Sequence, residues 1–500
     1  MLKIFKVNHW YNENDIDGIY LKRNYWDDFG YKTTYDFWIV KNGEKNGGIS
    51  DKNAIIKFSP KIKNKEENIE EVNFFVSEKI NILDMGKEEA NFYTLGNVEY
   101  YEILNEVFAT EEEKNVKYEW LKNTNDLAYN LELFEKVKKE KITRDSLLRE
   151  YWDSEVINQL HRMTLGGAWL TDYNIDILDK NENLLFKISV SPNSILPTNL
   201  YAIIGKNGTG KTNFLKKIIE AYRCYVNEDM QYKDYKFRFE DNIFESILCI
   251  SYSPFDTFEF IKEKKDTNIK YIGLIDSTEN LTKIMTKNLI EVIEKIRKSN
   301  KRFEYWKSIL LLFEFEIWAQ HIRENIDNCD LKLEIEKLSS GQKIILLSIS
   351  HLVLEVVEKT LVIIDEPELF LHPPLLKAYI RAISNIILDK NGIAILATHS
   401  PIVLQEIPHN CVRETIMNKN GEREIREIDF RTFGENVSTI NDIIFHTELR
   451  NSGYYKLVTE LVEKVGEKEE IEDFLGSEAL VLYEYLVEIG RSDEKSRKAE

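Results

Sequence analysis

The 500-residue sequence has few cysteine, proline and glycine residues, and these shortages exclude several classes of protein. The four cysteines, Cys224, Cys249, Cys329 and Cys411, lie far apart and form no Cys-x-x-Cys pair. A disulfide framework or a cysteine zinc site is therefore not expected, and the thiols are typical of a reducing cytoplasm. Nine prolines and 21 glycines are too few for a fibrous or disordered chain.

Long apolar runs are also missing. The longest candidate, residues 344–357, is interrupted by Ser348, Ser350, His351 and Glu355. A membrane-spanning helix needs about 20 apolar residues, so we expect no membrane contact and no transporter with its membrane domain in this chain. The N-terminal residues lack the apolar core of a signal peptide, which again favours the cytoplasm.

Positive charge is in short supply. The chain has 67 Lys and Arg residues against 86 Asp and Glu residues, which gives a formal net charge of −19 at pH 7. This balance excludes a protein that coats DNA through overall charge, so nucleic-acid contact would need a local patch or a partner. Two basic clusters, in residues 136–141 and 295–302, are more typical of solvated surface than of a phosphate track.

Apolar patterns divide the chain into regions of different secondary structure. Residues 33–40 mix β-branched and aromatic side chains, as a strand does, whereas residues 98–162 are helical and rich in charge. From Leu200 onward, short buried strands alternate with helices, which predicts an α/β fold with a mainly parallel sheet. A hairpin is predicted at 411–429, with Asn420-Gly421 at its turn, and helices are expected to follow.

A glycine-rich loop follows the strand predicted at Leu200. It fits the phosphate-binding pattern GxxxxGK[ST] with Gly205, Lys206, Asn207, Gly208, Thr209, Gly210, Lys211 and Thr212, followed by Asn213. The glycines let backbone N–H groups turn toward phosphates, Lys211 supplies a positive charge to the β- and γ-phosphates, and the Thr212 hydroxyl reaches Mg²⁺. The helix that begins here also points its positive end at the anion. This order of strand, loop and helix predicts a site for ATP and Mg²⁺.

Two acidic residues end the apolar strand predicted at 361–364. Asp365 can hold Mg²⁺ directly or through water, and Glu366 can polarise the attacking water as a general base. A strand running into a polar turn would look similar on its own. After a phosphate loop, a catalytic role is the better interpretation.

The motif Leu338-Ser339-Ser340-Gly341-Gln342 resembles the LSGGQ signature of ABC-type ATPases, with Ser340 in place of the first glycine. A serine and unpaired N–H groups at a helix N-terminus can receive a γ-phosphate, although the same residues can simply cap a helix. The resemblance implies that Ser339 acts on a nucleotide held by another subunit. We therefore expect a head-to-tail dimer or a higher oligomer.

Two further segments resemble parts of ABC-type ATPases. His399 matches their switch histidine, which contacts the γ-phosphate, and residues 365–373 resemble the segment that leads into the subunit-contacting D-loop in the RecF, OLD and SMC branch. The glutamine that these enzymes carry after a middle strand is missing from the run Tyr252-Ser253-Pro254-Phe255-Asp256. Ser253 or Asp256 would have to replace it.

The resemblance implies an ABC-type ATPase head with six parts. They are an N-terminal β-rich part of the head at 1–60, a helical insertion at 61–165, a core with the phosphate loop at 166–222, a helical lobe at 223–337, a core with the signature, the acidic strand and the switch histidine at 338–431, and a helical C-terminal segment at 432–500. Long helices are expected at 282–299 and 302–324. The helical lobe is too short for the coiled-coil arms of SMC-type proteins.

Segments outside these motifs extend the resemblance. Residues 27–34 (DDFGYKTT), 252–256 (YSPFD), 399–408 (HSPIVLQEIP) and 432–439 (TFGENVST) are similar to a restriction-system-associated family of AAA/ABC-type ATPases. This resemblance implies a partnership with a small HNH endonuclease in antiviral defence, and DNA would be reached through that partner. The chain itself has no His/Asn/His nuclease constellation, no DxD cluster after residue 400 and no Arg/His ribonuclease pair.

Two other functions stay open. The chain would act directly on DNA if it were a RecF-like repair or recombination ATPase, but its acidity disfavours this. It would serve a membrane partner if it were a separate transporter subunit, but its extra terminal regions and residues 365–373 disfavour that. The C-terminal segment is apolar on one face, which fits either packing on the core or docking of a nuclease or a second ATPase dimer.

Overall fold

The computed structural model describes residues 3–8, 15–26, 28, 30–47, 53–60, 79–81, 92–206, 208–226, 235–239, 244–252, 268–273, 281–326, 331–417, 423–449, 453–465 and 474–497. These residues form three β-sheets. They also form two large hydrophobic cores, one in the N-terminal part of the chain and one in the α/β part that follows.

The N-terminal part is built on a mixed sheet. Its strands are β1 (Lys3–Val7), β2 (Gly18–Arg23), β3 (Thr34–Lys41), β4 (Glu44–Gly47), β5 (Ile55–Pro60), β6 (Lys79–Asn81) and β7 (Phe92–Gly96). They are ordered β6-β1-β2-β3-β5-β7, with β4 paired to β3. The pair β1–β2 is parallel and the other pairs are antiparallel.

Helices cover one face of this sheet. They are α1 (Val98–Val107), α2 (Glu111–Asn123), α3 (Leu131–Val137), α4 (Asp153–Glu155) and α5 (His161–Thr164), with π-helical turns at Thr143–Leu147 and Val156–Leu160. Strand β3 shows the two faces: Phe37 and Ile39 join the core beneath the helices, whereas Trp38 and Val40 join a small aromatic cluster on the other side. Alternate residues of a strand point to opposite faces, so both faces of β3 are buried.

Asp28 joins the N-terminal sheet to its helices. Its buried carboxylate accepts hydrogen bonds from Lys57 Nζ (2.7 Å), Arg149 Nη1 (2.7 Å) and Ser146 Oγ (3.0 Å). Burial alone would raise the pKa of the Asp28 carboxyl, but the charge of Lys57 and these hydrogen bonds outweigh it and hold the pKa below its usual value. Asp28 therefore helps to hold the sheet and the helices of the N-terminal part together.

The α/β part is built on a second sheet. Its strands are β10 (Leu200–Ile204), β12 (Ser246–Ser251), β13 (Ile269–Gly273), β14 (Thr360–Asp365), β15 (Ile393–Ala397), β16 (Val412–Met417) and β17 (Arg423–Glu427). The order is β13-β12-β14-β15-β10-β16-β17, and every pair is parallel except the hairpin β16–β17. Strands β10, β14 and β15 are buried along their whole length, as expected of parallel strands. The predicted α/β fold with a mainly parallel sheet is confirmed.

A third sheet is antiparallel, and its strands come from residues before and after β10 in the sequence. It has the order β11-β8-β9, with β8 (Tyr173–Asp179), β9 (Leu184–Val190) and β11 (Tyr235–Phe239).

The hairpin β16–β17 forms as predicted within 411–429, whereas its turn at Asn420-Gly421 lies outside the described residues. Strands β6 and β7 fall inside the 61–165 segment that was expected to be helical. The division into domains otherwise stays a prediction.

The helices of the α/β part and the C-terminal segment follow the predicted order. They are α6 (Lys211–Val226), α7 (Leu281–Arg297), α8 (Asn300–Leu310), α9 (Ile317–Asn325), α10 (Leu331–Glu336), α11 (Ser340–Glu355), α12 (Pro373–Leu388), α13 (Pro401–Leu404), α14 (Val437–Leu449), α15 (Gly453–Val465) and α16 (Ser477–Arg497). Two prolines open α12, where a missing N–H group costs no hydrogen bond. No long coiled coil occurs in the described part of the helical lobe.

The single helix predicted at 302–324 is wrong in one respect, because a turn divides it into α8 and α9. Phe313 and Trp318 are both buried, with ring centroids 6.1 Å apart. Residues five positions apart lie on different faces of a continuous helix. The turn between α8 and α9 lets both aromatic rings enter the same core.

The N-terminal part contacts the α/β part at the amino ends of the parallel strands. Arg162 Nη2 donates to Glu358 Oε1 (2.7 Å), just before β14. Asn158 Nδ2 donates to Glu245 Oε1 (3.1 Å), just before β12. Asn391, just before β15, donates to Thr171 Oγ1 (2.9 Å). These polar contacts join the two parts of the chain at one edge of the sheet.

Two observations bear on the expected environment of the chain. Within the described ranges, no helix is long and apolar enough to cross a membrane. No disulfide joins Cys224, Cys249 and Cys411, while Cys329 lies outside the described residues.

Candidate nucleotide-binding site

Three neighbouring strands of the parallel sheet end at the edge opposite the N-terminal part. The strand register aligns Ile203 of β10 with Ala397 of β15, and Ala397 with Asp365 of β14. The phosphate loop begins just after β10, Glu366 follows Asp365, and His399 lies two residues beyond Ala397. Since ligands of open α/β sheets bind at the carboxyl ends of the strands, this edge is the expected place for a nucleotide.

The phosphate loop turns on three glycines with positive φ angles. The angles are 153° at Gly205, 82° at Gly208 and 85° at Gly210, values that residues with a side chain rarely adopt. A Cβ atom on Gly205 would lie 2.4 Å from the carbonyl oxygen of Thr415, whereas one on Gly208 would meet nothing within 4 Å. Asn207 lies outside the described residues. Glycine is thus required at 205 for space as well as for conformation.

The Lys211 side chain closes the loop. The residue is 6% exposed, and its Nζ donates to the carbonyl oxygens of Gly205 (2.9 Å) and Lys206 (3.3 Å). The same Nζ lies 3.4 Å from Nδ1 of His399. Thr209 Oγ1 also donates to Lys206 O (2.9 Å), and Asn213 is exposed on the first turn of α6. An ammonium held over loop carbonyls can exchange them for phosphate oxygens.

The residues expected to hold Mg²⁺ meet directly. Thr212 Oγ1 donates to Asp365 Oδ2 at 2.8 Å. A hydroxyl and a carboxylate oxygen suit Mg²⁺, which prefers few protein ligands and completes its shell with water and phosphate oxygens. Elsewhere in the part of the chain that the structure describes, no group of three or more His, Cys, Asp and Glu side chains is placed to hold a metal. The side chains present therefore fit the ion.

Glu366 and His399 face each other across the same edge of the sheet. His399 Nε2 lies 3.6 Å from Glu366 Oε1, and the two side chains are 30% and 34% exposed. Glu366 has a φ angle of 50°, which costs a residue with a side chain about 1–2 kcal/mol. Both groups can reach a ligand from the solvent side.

Two residues near the loop were missed from the sequence. Glu368 accepts a hydrogen bond from the backbone N–H of His399 (2.7 Å), and a third acid beside Asp365 and Glu366 was a signal for it. Arg423 Nε donates to Thr209 O (3.2 Å) across 214 positions of sequence, and no local pattern could have indicated that contact.

The signature residues form the N-terminus of α11. Ser339 Oγ accepts from Gln342 N (3.3 Å), and Gln342 Oε1 accepts from Ser339 N (2.9 Å), which is a capping box. Ser340 is the first residue of the helix. A Cβ atom on Gly341 would lie 2.7 Å from the carbonyl oxygen of Phe370, so this glycine lets the 365–373 segment pack closely on the signature. Ser253 and Asp256 lie outside the described residues.

The parallel sheet, the phosphate loop, the acidic strand and the switch histidine define an AAA/ABC-type ATPase fold. The chain belongs to the family of protein ea59 of Escherichia phage lambda, with which it is 32% identical over 413 residues, or 74% of this chain and 78% of that protein. A family model described as "AAA domain, putative AbiEii toxin, Type IV TA system" matches residues 253–405. That stretch contains the signature, the acidic strand and His399, and it begins after the phosphate loop.

Solved structures with similarity to this chain include two ATPase heads. A nucleotide-free ATP-binding cassette from an ABC transporter is 15% identical and covers 55% of this chain and 96% of its own, with a TM-score of 0.29. The SMC head domain from Thermotoga maritima is 12% identical and covers 52% of this chain and all of its own (100%), with a TM-score of 0.27. Because these scores are low, the fold assignment rests on strand order and motif positions.

Proposed function

We propose that this protein binds ATP with Mg²⁺ and hydrolyses it to ADP and phosphate. The observation that carries the proposal is the convergence of Lys211, Glu366 and His399 at the ends of adjacent strands. Lys211 Nζ lies 3.4 Å from His399 Nδ1, and His399 Nε2 lies 3.6 Å from Glu366 Oε1. Side chains with a positive charge, a general base and a hydrogen-bonding ring are what phosphoryl transfer to water requires.

Each residue has a distinct task in this mechanism. Lys211 moves from the loop carbonyls to the β- and γ-phosphate oxygens, and Glu366 orients and polarises the attacking water. His399 contacts the γ-phosphate and reports its presence. Bound at Thr212 and Asp365, Mg²⁺ would supply charge neutralisation to the phosphates.

The active form is proposed to be a head-to-tail dimer or a higher oligomer, in which Ser339 of one chain faces the nucleotide of another. Large apolar side chains are exposed around the signature side of the molecule: Phe315 (55%), Ile317 (84%) and Phe370 (57%). Exposed apolar surface of this kind supports an interface with a second copy. ATP occupancy would then shift the dimer between open and closed states.

The biological role that we propose is control of a nuclease. The resemblance to the restriction-associated ATPases supports a likeness to PtuA, the ATPase of Septu and some retron antiphage systems, and we propose a PtuB-like HNH endonuclease as the cytoplasmic partner that contacts DNA. Exposed apolar residues on α15 and α16, namely Leu457 (57%), Val481 (65%) and Tyr485 (59%), offer a docking surface for the partner.

Glu366→Gln tests the ATPase proposal. The amide keeps the shape of the side chain but cannot act as a base, so hydrolysis should fall by about 10²–10⁴-fold while ATP stays bound. Turnover and retained nucleotide would be measured on the purified chain. Glu406→Gln, which changes a carboxylate paired with Arg381 away from the loop, is the matched control. Wild-type turnover in Glu366→Gln would refute the role of the base.

Affinity purification of the tagged full chain from its native cells tests the partner. A small HNH protein recovered in stoichiometric amounts would support control of a nuclease. Recovery of DNA or repair proteins instead, with ATP-dependent binding of DNA by the chain alone, would favour the RecF-like alternative.

A further inference from the structure

Glu368 is a carboxylate that the proposed mechanism does not use, yet it joins the two loops that carry Glu366 and His399. The backbone N–H of His399 donates to its Oε1 at 2.7 Å. The hydroxyl of Thr398 donates to both of its oxygens, each at 2.9 Å. One side chain from the loop after β14 thus binds the first two residues after β15.

The surroundings of Glu368 make these bonds strong. Its side chain is partly covered, and Thr398 is fully buried. Burial raises the pKa of the Glu368 carboxyl, and the hydrogen bonds from His399 and Thr398 act in the opposite direction. A hydrogen bond shielded from water is stronger than the same bond in solvent. The Glu368 contact is therefore a firm attachment for the loop.

Two further hydrogen bonds involve Thr398 and Ser400, the residues on either side of His399. Thr398 N donates to Ile203 O (3.1 Å), and Ser400 N donates to Thr398 Oγ1 (2.9 Å). Both contacts fix Thr398. The hydrogen bond to Glu368 acts directly on the peptide that carries the His399 imidazole. The ring lies between Lys211 and Glu366, so a small rotation of that peptide would move it away from both.

We infer that Glu368 is a positioning residue for ATP hydrolysis, which holds the His399 imidazole where the γ-phosphate will bind. The inference rests on the proposed function, because it assigns Glu368 a task in that same reaction. The proposed mechanism gives Glu368 no contact of its own with the nucleotide or the attacking water. It acts through His399, and this gives it a kinetic signature that a purely structural carboxylate lacks.

Variants of Glu368 test whether the length or the charge of its side chain matters for hydrolysis. Glu368→Gln keeps the length and one acceptor oxygen, whereas Glu368→Asp keeps the charge but withdraws the oxygens by one methylene. If position matters, kcat should fall little in Glu368→Gln, more in Glu368→Asp, and by about 10–100-fold in Glu368→Ala. KM for ATP should stay within about twofold, because the phosphate loop is unchanged. A slow Glu368→Gln beside a normal Glu368→Asp would overturn the inference.

A double-mutant cycle with His399→Ala gives the decisive comparison. A residue that acts through His399 has nothing left to position once the ring is gone, so Glu368→Asp/His399→Ala should be no slower than His399→Ala alone. Additive losses would overturn the inference. Glu368→Asp is used because it preserves the charge and the fold, and Glu406→Asp is the matched control.

The same cycle distinguishes two kinds of failure. If the wild-type chain hydrolyses ATP and His399→Ala is slow, but all Glu368 variants are normal, only the inference about Glu368 is wrong. If the wild-type chain does not hydrolyse ATP, or if His399→Ala is as fast as wild type, the proposed mechanism is wrong and the inference falls with it.

Discussion

The hydroxyl of Thr212 donates a 2.8 Å hydrogen bond to a carboxylate oxygen of Asp365, across 153 positions of sequence. The contact joins the start of α6 to the end of β14, and it does so at the proposed magnesium position. Two oxygen atoms held this close can share a small divalent ion with little rearrangement. The pair is therefore the most direct target for a test of metal dependence.

Asp365→Asn should raise the concentration of Mg²⁺ that ATP hydrolysis requires. The substitution removes the negative charge but keeps the size of the side chain, so the apparent affinity for Mg²⁺ should fall about tenfold or more. Turnover measured across a Mg²⁺ titration gives the comparison. Asp429→Asn, an exposed change on the same part of the chain, should leave the titration unchanged. A normal titration for Asp365→Asn would contradict the metal assignment.

Two glycines of the phosphate loop should respond differently to alanine. Both Gly205→Ala and Gly208→Ala force a side chain into a positive φ angle, at a cost of about 1–2 kcal/mol. Only Gly205→Ala also drives a Cβ atom against the Thr415 carbonyl oxygen, a backbone atom that cannot turn away. Thermal unfolding and nucleotide affinity should therefore be harmed more in Gly205→Ala. Equal effects in the two variants would show that the close contact does not matter.

Mixing two inactive variants tests the composite site. Lys211→Ala and Ser339→Ala should each abolish hydrolysis in a head-to-tail dimer, because every site would lack one part. A mixed dimer would contain one site with Lys211 from one chain and Ser339 from the other, so mixing should restore activity, up to about half per mixed dimer. Turnover is measured before and after mixing. No recovery in a sample with proven subunit exchange would place both residues in the same chain's site, or limit Ser339 to its helix cap.

A buried carboxyl in the N-terminal part predicts how stability changes with pH. Asp126 accepts hydrogen bonds from Tyr101 Oη (2.9 Å) and Ala128 N (3.0 Å), and burial raises the pKa of its carboxyl to about 7. The folded state thus binds the proton more tightly than the unfolded state, whose carboxyl has its usual pKa of about 4. The stabilisation is full below about pH 4 and is lost as the pH rises through about 7.

Asp126→Asn should remove this dependence. The amide does not titrate, so the difference in melting temperature between wild type and variant should change steadily between about pH 4 and about pH 7. The melting temperature of the wild type should fall relative to that of the variant as the pH rises. The melting temperature of Asp429→Asn should change with pH in the same way as that of the wild type. Parallel profiles for Asp126→Asn as well would show that Asp126 does not titrate in this range.

The parallel sheet and the motifs at its edge could be predicted because both produce recognisable patterns over a few neighbouring residues. Buried strands show as apolar runs, and the phosphate loop, the acids and His399 each follow such a run directly. Glu368 and Arg423 depend on which strands become neighbours, and a contact such as Arg423 to Thr209 joins residues 214 positions apart. The break between α8 and α9 was hidden because the residues between them, 311–316 (LLFEFE), include no glycine or proline to mark the end of a helix.

The N-terminal sheet was predicted as strands, but its separate core was not. Residues of β3 alternate between two apolar environments, so the usual alternation of apolar and polar residues is absent there. Such a strand can be assigned from its composition, but its partners cannot. The Asp28 network joins segments more than a hundred positions apart, so no local pattern indicates it.

The contacts of Asn158, Arg162 and Asn391 lie at the amino ends of strands whose carboxyl ends meet the nucleotide. Strands of six residues span about 20 Å, so the residues that make these contacts do not reach a bound phosphate. An effect of the nucleotide on the N-terminal part would therefore pass through movement of the strands and helices that lie between the two ends of the sheet.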